Sequence, residues 1–258
     1  VKQLQYGPEC KNNRKHLHTP HFPEMSNLDE QETGRKEKRR QERACPPVKN
    51  PPRDEVKHAQ MEGAMGCPRL DFFLGDVRDK GRLRRAMGAG VDIVVHAAAL
   101  KQVLRCENDP EEAIKTNVLG SWNVALASME SDSVKKVLML SSDKACAPTN
   151  LYGSTKLCAE RLLIQANSYT PKGPVFSVLR YGNVMDSRGS VVEVFRACRN
   201  NDSHVPITHK DMTRFWLTLP QAARHAENAL RMMHGGEVFV PKLKACRTLG
   251  SANFARRM

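Results

Sequence analysis

Four short apolar runs, spaced by stretches of helical pattern, decide what this chain can fold into. They lie at residues 91–97, 136–142, 175–181 and 237–240. Each is brief and rich in β-branched and long apolar residues, as a strand buried on both faces of a sheet must be. Helical pattern fills the intervals at 111–129, from Leu151 to about Asn167, and at 190–199. Thr218-Leu219-Pro220-Gln221 has the order of a capping box and opens a further helix that ends near His234-Gly235-Gly236. Ahead of these, 71–77 reads as a strand, 79–87 as a basic helix and 54–64 as a short helix. Strands alternating with helices specify an α/β fold with a parallel, doubly wound, Rossmann-like sheet. No internal repeat is present.

The first 52 residues are of another kind. They are rich in Lys, Arg, Glu, Pro, Asn and His and almost free of apolar periodicity. Such a stretch buries too little apolar surface to offset its ordering entropy, so 1–52 reads as disordered, with a short helix over 29–43 and a basic arm for a polyanion as alternatives. The organisation that follows is a polar segment over 1–52, one folded domain over 53–244 and an unstructured tail over 245–258. The formal charge of +13 suits an anionic ligand. It is spread along the chain with few aromatics for base stacking, which argues against nucleic acid as the partner. No run of 18 or more apolar residues occurs, so no membrane span is expected. The eight cysteines form no C-x-x-C pair, which points to reduced thiols and a cytoplasmic setting. Cys158 reads as a small packing residue and His96 as a packed strand-end histidine rather than a metal ligand; no metal site is expected.

The chemistry concentrates at one place. The run 137–140 ends in Ser141-Ser142-Asp143-Lys144, and Tyr152 and Lys156 follow four residues apart in LYGSTKL. On a helix they share one face, about one turn apart. An ammonium beside a phenol favours the phenolate and lowers a pKa ordinarily near 10. A tyrosine so tuned can move protons while a hydride passes to a cofactor. The carboxyl ends of parallel strands, where Ser142 falls, are where open α/β sheets bind ligands.

Read in order, FLGDVRDK (73–80), VDIVVHAAALKQV (91–103), AIKTNVLGSWNV (113–124), KKVLMLSSDKACAPTNLYGSTKL (135–157), FSVLRYGNVMDSRGSVV (176–192), PITHKDMTRFW (206–216) and GGEVFVPK (235–242) resemble the inverting UDP-N-acetylglucosamine 4,6-dehydratases. These form the polysaccharide-biosynthesis branch of the extended short-chain dehydrogenase/reductases. The resemblance covers roughly 53–244; HAAALKQV and MTRFW are specific to it.

The resemblance implies a lyase, a UDP-sugar substrate, NADP or NAD as cofactor, and a homo-oligomer. Tyr152 would be the base for the C4 hydroxyl. Lys156 would tune Tyr152 and bind the nicotinamide ribose, and Ser142 would orient the C4 oxygen. Asp143 and Lys144 would run the elimination of the C6 hydroxyl and the C5 proton. On the cofactor side stand Arg53, Asp76, Val77, Ala97, Ala98, Ala99 and Asn117, with Tyr152 and Lys156. On the substrate side stand Lys101, Asn183, Arg188 and Arg214, because Arg forks suit diphosphate oxygens. Asp186 departs from the glycine common in the family and would weaken diphosphate binding if it points inward. Lys144, where retaining dehydratases carry Glu, favours inversion and argues against the remaining relative, a sugar-nucleotide 4-epimerase.

One expected part has no counterpart in the 258 residues. A dinucleotide fold normally opens with strand, glycine-rich turn and helix, and no G-x-x-G-x-x-G or G-x-G-x-x-G follows an apolar strand here. Against the order 3-2-1-4-5-6, strands one and two would be lacking between 71–77 and 91–97. Three arrangements are then open: the two strands slide together, 1–7 or 47–50 supplies a substitute strand, or the N-terminal half stays loose. The expectation is a compromised N-terminal half with weak or lost cofactor binding, and a truncated, catalytically inactive relic that binds or oligomerises is the alternative to an enzyme.

Overall fold

The computed structural model describes residues 48–50, 63, 70–88, 90–185, 187, 191–201, 209 and 211–247. A four-stranded parallel sheet carries the fold, in the order β3 (Ile93–His96), β4 (Lys136–Ser142), β5 (Val175–Tyr181), β8 (Val238–Phe239). β4 and β5 pair over their full length, from Lys136 opposite Val175 to Ser142 opposite Tyr181. The strand expectations at 136–142 and 175–181 hold to the residue, because these runs are buried on both faces and bounded by polar turns.

Alternation along β4 and β5 divides the core. Val137, Met139, Phe176 and Val178 point to one face. There they meet Leu83 and Met87 of α1 (Lys80–Met87), Val124 and Ala127 of α4 (Gly120–Met129), and Ala159 and Leu163 of α5 (Leu151–Ala166). Leu138 and Leu179 point to the other face, against Ala229 of α7 (Leu219–Met232), Met233 and Phe239. The helix starts follow from sequence. Asp79 caps α1 through the Arg82 amide, and Thr218 and Gln221 form the capping box of α7. Before α4, α2 (Val103–Asn108) and α3 (Pro110–Ala113) lead into a π-helical turn at Ile114–Leu119, inside the stretch expected to be regular helix.

β3 is covered differently. Val94 packs under the first core face, but Ile93 and Val95, on the side of α7, are 48% and 45% exposed. Among the described residues β4 is the only strand that pairs with β3. A separate two-stranded parallel sheet joins β1 (Val48–Asn50) to β2 (Leu70–Phe72). Val48–Asn50, within the stretch offered as a substitute strand, pairs with β2, but among the described residues it does not bridge β2 to β3. It corrects the expectation of disorder over 1–52 at these three residues: the N–H and C=O groups of β2 need a ladder partner, and Val48-Lys49-Asn50 supplies it. The strand expected over 71–77 ends at Phe72. From there the chain turns toward α4, where Asn123 donates to the carbonyls of Val77 and Arg78.

A second correction falls at the C-terminus. β9 (Ala245–Arg247), within the expected unstructured tail, pairs antiparallel with β7 (Thr213–Leu217), which also pairs parallel with β6 (Asn183–Val184). β7 has two ladder edges, and β6 fills only one. α6 (Val191–Asn200) follows β6 as expected. Cys158 is exposed on α5, not packed. The helices expected over 29–43 and 54–64 lie outside the described residues, apart from Gly63 in the second. No helix of the described residues is long and apolar enough to cross a membrane.

Candidate active site

The carboxyl end of β4 delivers Ser142, and the chain turns at once into a single 3-10 turn, Asp143–Ala145. The Ser142 hydroxyl donates to Asp143 Oδ1 at 3.0 Å and accepts from the Lys144 amide at 3.3 Å. Lys144 Nζ donates to Asp143 Oδ1 at 3.0 Å and to Asn183 Oδ1 at 3.2 Å. Asn183 reaches this point because β5, in register with β4, continues through Gly182 into β6. A Cβ on Gly182 would run into the carbonyl of Phe215, so only glycine lets the chain pass so close to β7. Four of the expected residues, from two strands and the turn between, thus form one hydrogen-bonded set.

α5 brings Tyr152 over this set. Asn150 caps the helix through the Gly153 amide, and Glu107 takes the Leu151 amide at 2.7 Å. Gly153 is forced by packing: any Cβ there would collide with the Lys144 carbonyl, so helix and 3-10 turn touch backbone to backbone. The Tyr152 ring is buried with Cys106 and Ala113. That burial pushes its phenol up to about 12; hydrogen bonding with Ser142 works against it, and the charges of Tyr181, Asp143 and Cys106 add to it. The expected lowering by Lys156 is therefore corrected. Lys156 Nζ turns to the sheet and donates to the Leu140 carbonyl at 2.7 Å. Its own burial brings the ammonium down to about 8, with the Glu160 charge opposing.

The cofactor-side residues separate into two groups. Ala97 and Ala98 are exposed just past β3, and Ala99 is half-buried. His96, just before them, lies within electrostatic reach of Lys156: burial first, then that charge, brings its imidazole down to about 3. Small side chains and open backbone beside a buried lysine fit the nicotinamide end of a dinucleotide. Ala97–Ala99, Tyr152 and Lys156 would line it. Asn117 is 1% exposed and stands behind this loop. Its side chain accepts from the Leu100 amide and donates to the Leu100 carbonyl and to Thr155 Oγ1. The π-helical turn places it there, and its task is to hold the loop in position. Asp76 binds the Arg78 guanidinium, and Val77 packs against Gly120.

Of the residues expected on the substrate side, Asn183 joins the Ser142–Asp143–Lys144 set, while Lys101 is exposed on the loop after β3. Arg214 lies on β7, two residues before Trp216, the partner of Asn183, and its guanidinium donates to the Thr213 carbonyl. Arg53, Arg188 and Asp186 lie outside the described residues. Sequence reasoning missed buried Glu160 and its half-buried partner Arg180, behind Lys156. The signal was present, since Lys156 and Glu160 are four apart on one helix face.

The profile of a family described as "Polysaccharide biosynthesis protein" matches residues 51–257. An inverting UDP-N-acetylglucosamine 4,6-dehydratase of Campylobacter jejuni subsp. jejuni is 46% identical over 197 residues, 76% of this chain and 58% of that protein. A UDP-glucose 4-epimerase of Rickettsia conorii is 44% identical over 194 residues, 75% of this chain and 56% of that protein. The X-ray structure of Pen from Bacillus thuringiensis superposes with a TM-score of 0.77 at 34% identity, covering 81% of this chain and 67% of that one. The chain thus spans somewhat under three fifths of the length of these curated relatives.

Proposed function

The chain belongs to the polysaccharide biosynthesis protein family, a branch of the extended short-chain dehydrogenase/reductases, and from that premise we propose that it is built for the 4,6-dehydration of UDP-N-acetylglucosamine with inversion at C5. The observation that carries this reading is Lys144 Nζ held between Asp143 Oδ1 and Asn183 Oδ1, next to Ser142. A carboxyl and an amine in direct contact can remove a hydroxyl and a proton from adjacent carbons. In the neutral tautomer of the pair, the Lys144 amine takes the C5 proton and the Asp143 carboxyl gives its proton to the departing C6 hydroxyl, which leaves as water. The ion pair is what remains, and inversion follows when the proton that comes back to C5 arrives on the opposite face of the ring.

Ser142 orients the C4 oxygen and Tyr152 receives its proton. In the resting chain the phenol, at about 12, stays protonated, so that transfer needs positive charge to arrive beside it. A bound oxidised nicotinamide dinucleotide would supply the hydride acceptor and that charge. No glycine-rich turn follows an apolar strand anywhere in the 258 residues, so the pyrophosphate lacks its usual cradle and affinity falls.

The test is incubation of the purified chain with UDP-N-acetylglucosamine and NADP+ or NAD+, with the sugar followed by NMR. A 4-keto-6-deoxy product inverted at C5 is expected, and Lys144→Ala should stop its formation. The second reading, a 4-epimerase, is favoured by the Rickettsia relatives; a C4 epimer with the C6 hydroxyl retained would establish it. No turnover with either cofactor would leave a binding or oligomerisation module. Fluorescence titration with NADPH tests the cofactor half separately: micromolar binding would overturn the inferred loss of affinity.

A further inference from the structure

Glu160 is 2% exposed on α5, one helical turn beyond Lys156, which is 3% exposed. Its Oε1 accepts from Ser141 Oγ at 2.5 Å and from Arg180 Nε at 2.9 Å, and its Oε2 accepts from Arg180 Nη2 at 2.5 Å. Ser141 and Arg180 face each other across β4 and β5, and Leu140, which takes the Lys156 ammonium, is the residue before Ser141. A buried carboxylate is costly unless paired and hydrogen-bonded, and this one is both. None of these contacts touches the sugar chemistry directly, yet they converge on the lysine that does.

We propose that Glu160 is a positioning residue for Lys156: its carboxylate, locked by Arg180 and Ser141, keeps the buried lysine cationic and seated on the Leu140 carbonyl. The inference rests on the reading of Lys156 as the ribose and proton-transfer lysine, but its test needs no turnover. The charged and titratable groups facing Lys156 are few. Glu160 and Tyr152 share its helix, His96 stands on β3, Arg180 on β5, and Asp143 and Lys144 on the turn after β4. His96 is neutral and Tyr152 protonated near pH 7, and Asp143 and Lys144 pair with each other. Glu160, one helical turn away, is the negative charge that acts on the ammonium even with Arg180 bound to it. Burial already brings Lys156 down to about 8, and the Glu160 charge acts against that fall. Without it the lysine would lose about half of its charge at pH 7 and would offer less of it to a ribose or a phenol.

A rival account makes Glu160–Arg180 only a clamp between α5 and β5. Charge and clamp separate in two variants. Glu160→Gln keeps the shape and loses the charge; Glu160→Asp keeps the charge and loosens the clamp. The Lys156 amine is titrated by NMR in protein labelled with 13Cε-lysine, its signal identified by its loss in Lys156→Arg. The midpoint is expected to fall by about one unit, a tenfold change in the proton-binding constant, in E160Q and to stay within about half a unit in E160D. Should E160Q fail to fold because the Arg180 fork is stranded, E160Q/R180K keeps the positive charge on a more flexible side chain and should show the same fall. An unchanged midpoint in folded E160Q or in the double variant overturns the proposal, as does an equal fall in E160D. A wild type without turnover would sink the dehydratase reading and leave this titration result standing.

Discussion

β4 and β3 are neighbours in one sheet, in register, yet they live in different surroundings. β4 is paired on both edges and covered on both faces, and it ends in Ser142, Asp143 and Lys144. β3 pairs only with β4 among the described strands and leaves Ile93 and Val95 half in water, and it ends in the alanines on the cofactor side. The residues proposed for the sugar chemistry thus sit on the doubly supported strand, and those proposed for the cofactor on the less supported one. Reacting groups must be held to a fraction of an ångström, which doubly paired strands can do and an open edge cannot.

Core truncation breaks this comparison most directly. Phe176 is fully buried on β5, and Phe176→Ala should cost about 3–5 kcal/mol in urea unfolding. Val95→Ala on the open side of β3 should cost under about 1 kcal/mol, because the side chain is already 45% exposed. Equal losses at the two sites would mean that β3 is covered as well as β5 is.

The second test attacks the join between helix and turn. Gly153→Ala puts a methyl group into the Lys144 carbonyl, and neither backbone can yield without moving Asp143 or Tyr152. A loss of about 3 kcal/mol is expected from overpacking, together with loss of any dehydratase turnover. A variant that keeps wild-type stability would show that α5 is free to lift from the turn.

How much of this was legible in advance divides along the same line. The strands at 136–142 and 175–181, the Thr218 capping box and the grouping of Ser142, Asp143 and Lys144 follow from local pattern, because buried parallel strands and caps write themselves into consecutive residues; the Asn183 bond to Lys144 was not legible there. β1 and β9 did not, since a three-residue strand is made by the edge it joins and not by its own propensity. The direction of the Tyr152 shift was misread for a similar reason. Spacing puts Lys156 on the same face, but it cannot say that the ammonium prefers the Leu140 carbonyl, or that Cys106 and Ala113 bury the ring. The role of Asn117 was hidden too, because it depends on a π-helical turn that sequence pattern does not announce.

Acid sharpens the comparison at the end of β3. His96 is buried, and its Nε2 meets Ser121 Oγ, which donates to the Asn117 carbonyl, so the imidazole donates and is neutral. Its folded value is about 3 against 6.5 unfolded. Below pH 6.5 the unfolded chain takes up a proton that the folded chain refuses, so stability falls as pH drops from 6.5 toward 3. Between pH 6.5 and 5 the loss from this one group is on the order of 2 kcal/mol. His96→Gln should lack that limb, and its stability deficit relative to wild type should shrink over that interval in urea titrations at stepped pH. A constant deficit would mean that His96 carries its proton in the folded state.

The smallest effect concerns the helix that covers one strand and not the other. α7 seals Leu138 and Leu179 but leaves Ile93 and Val95 open. It begins with the Thr218 hydroxyl accepting the Gln221 amide and Gln221 returning a bond to the Thr218 amide. Thr218→Ala removes the first of these at an exposed helix end, at a cost of about 1 kcal/mol. The loss should be local. Hydrogen exchange should quicken in the first turn of α7 and stay slow at Ala229 and Met233, which are packed on β4 and β5. Quickened exchange along β4 as well would show that the cap supports the whole covered face, and that the rigidity of the sugar-side half hangs on its outermost turn.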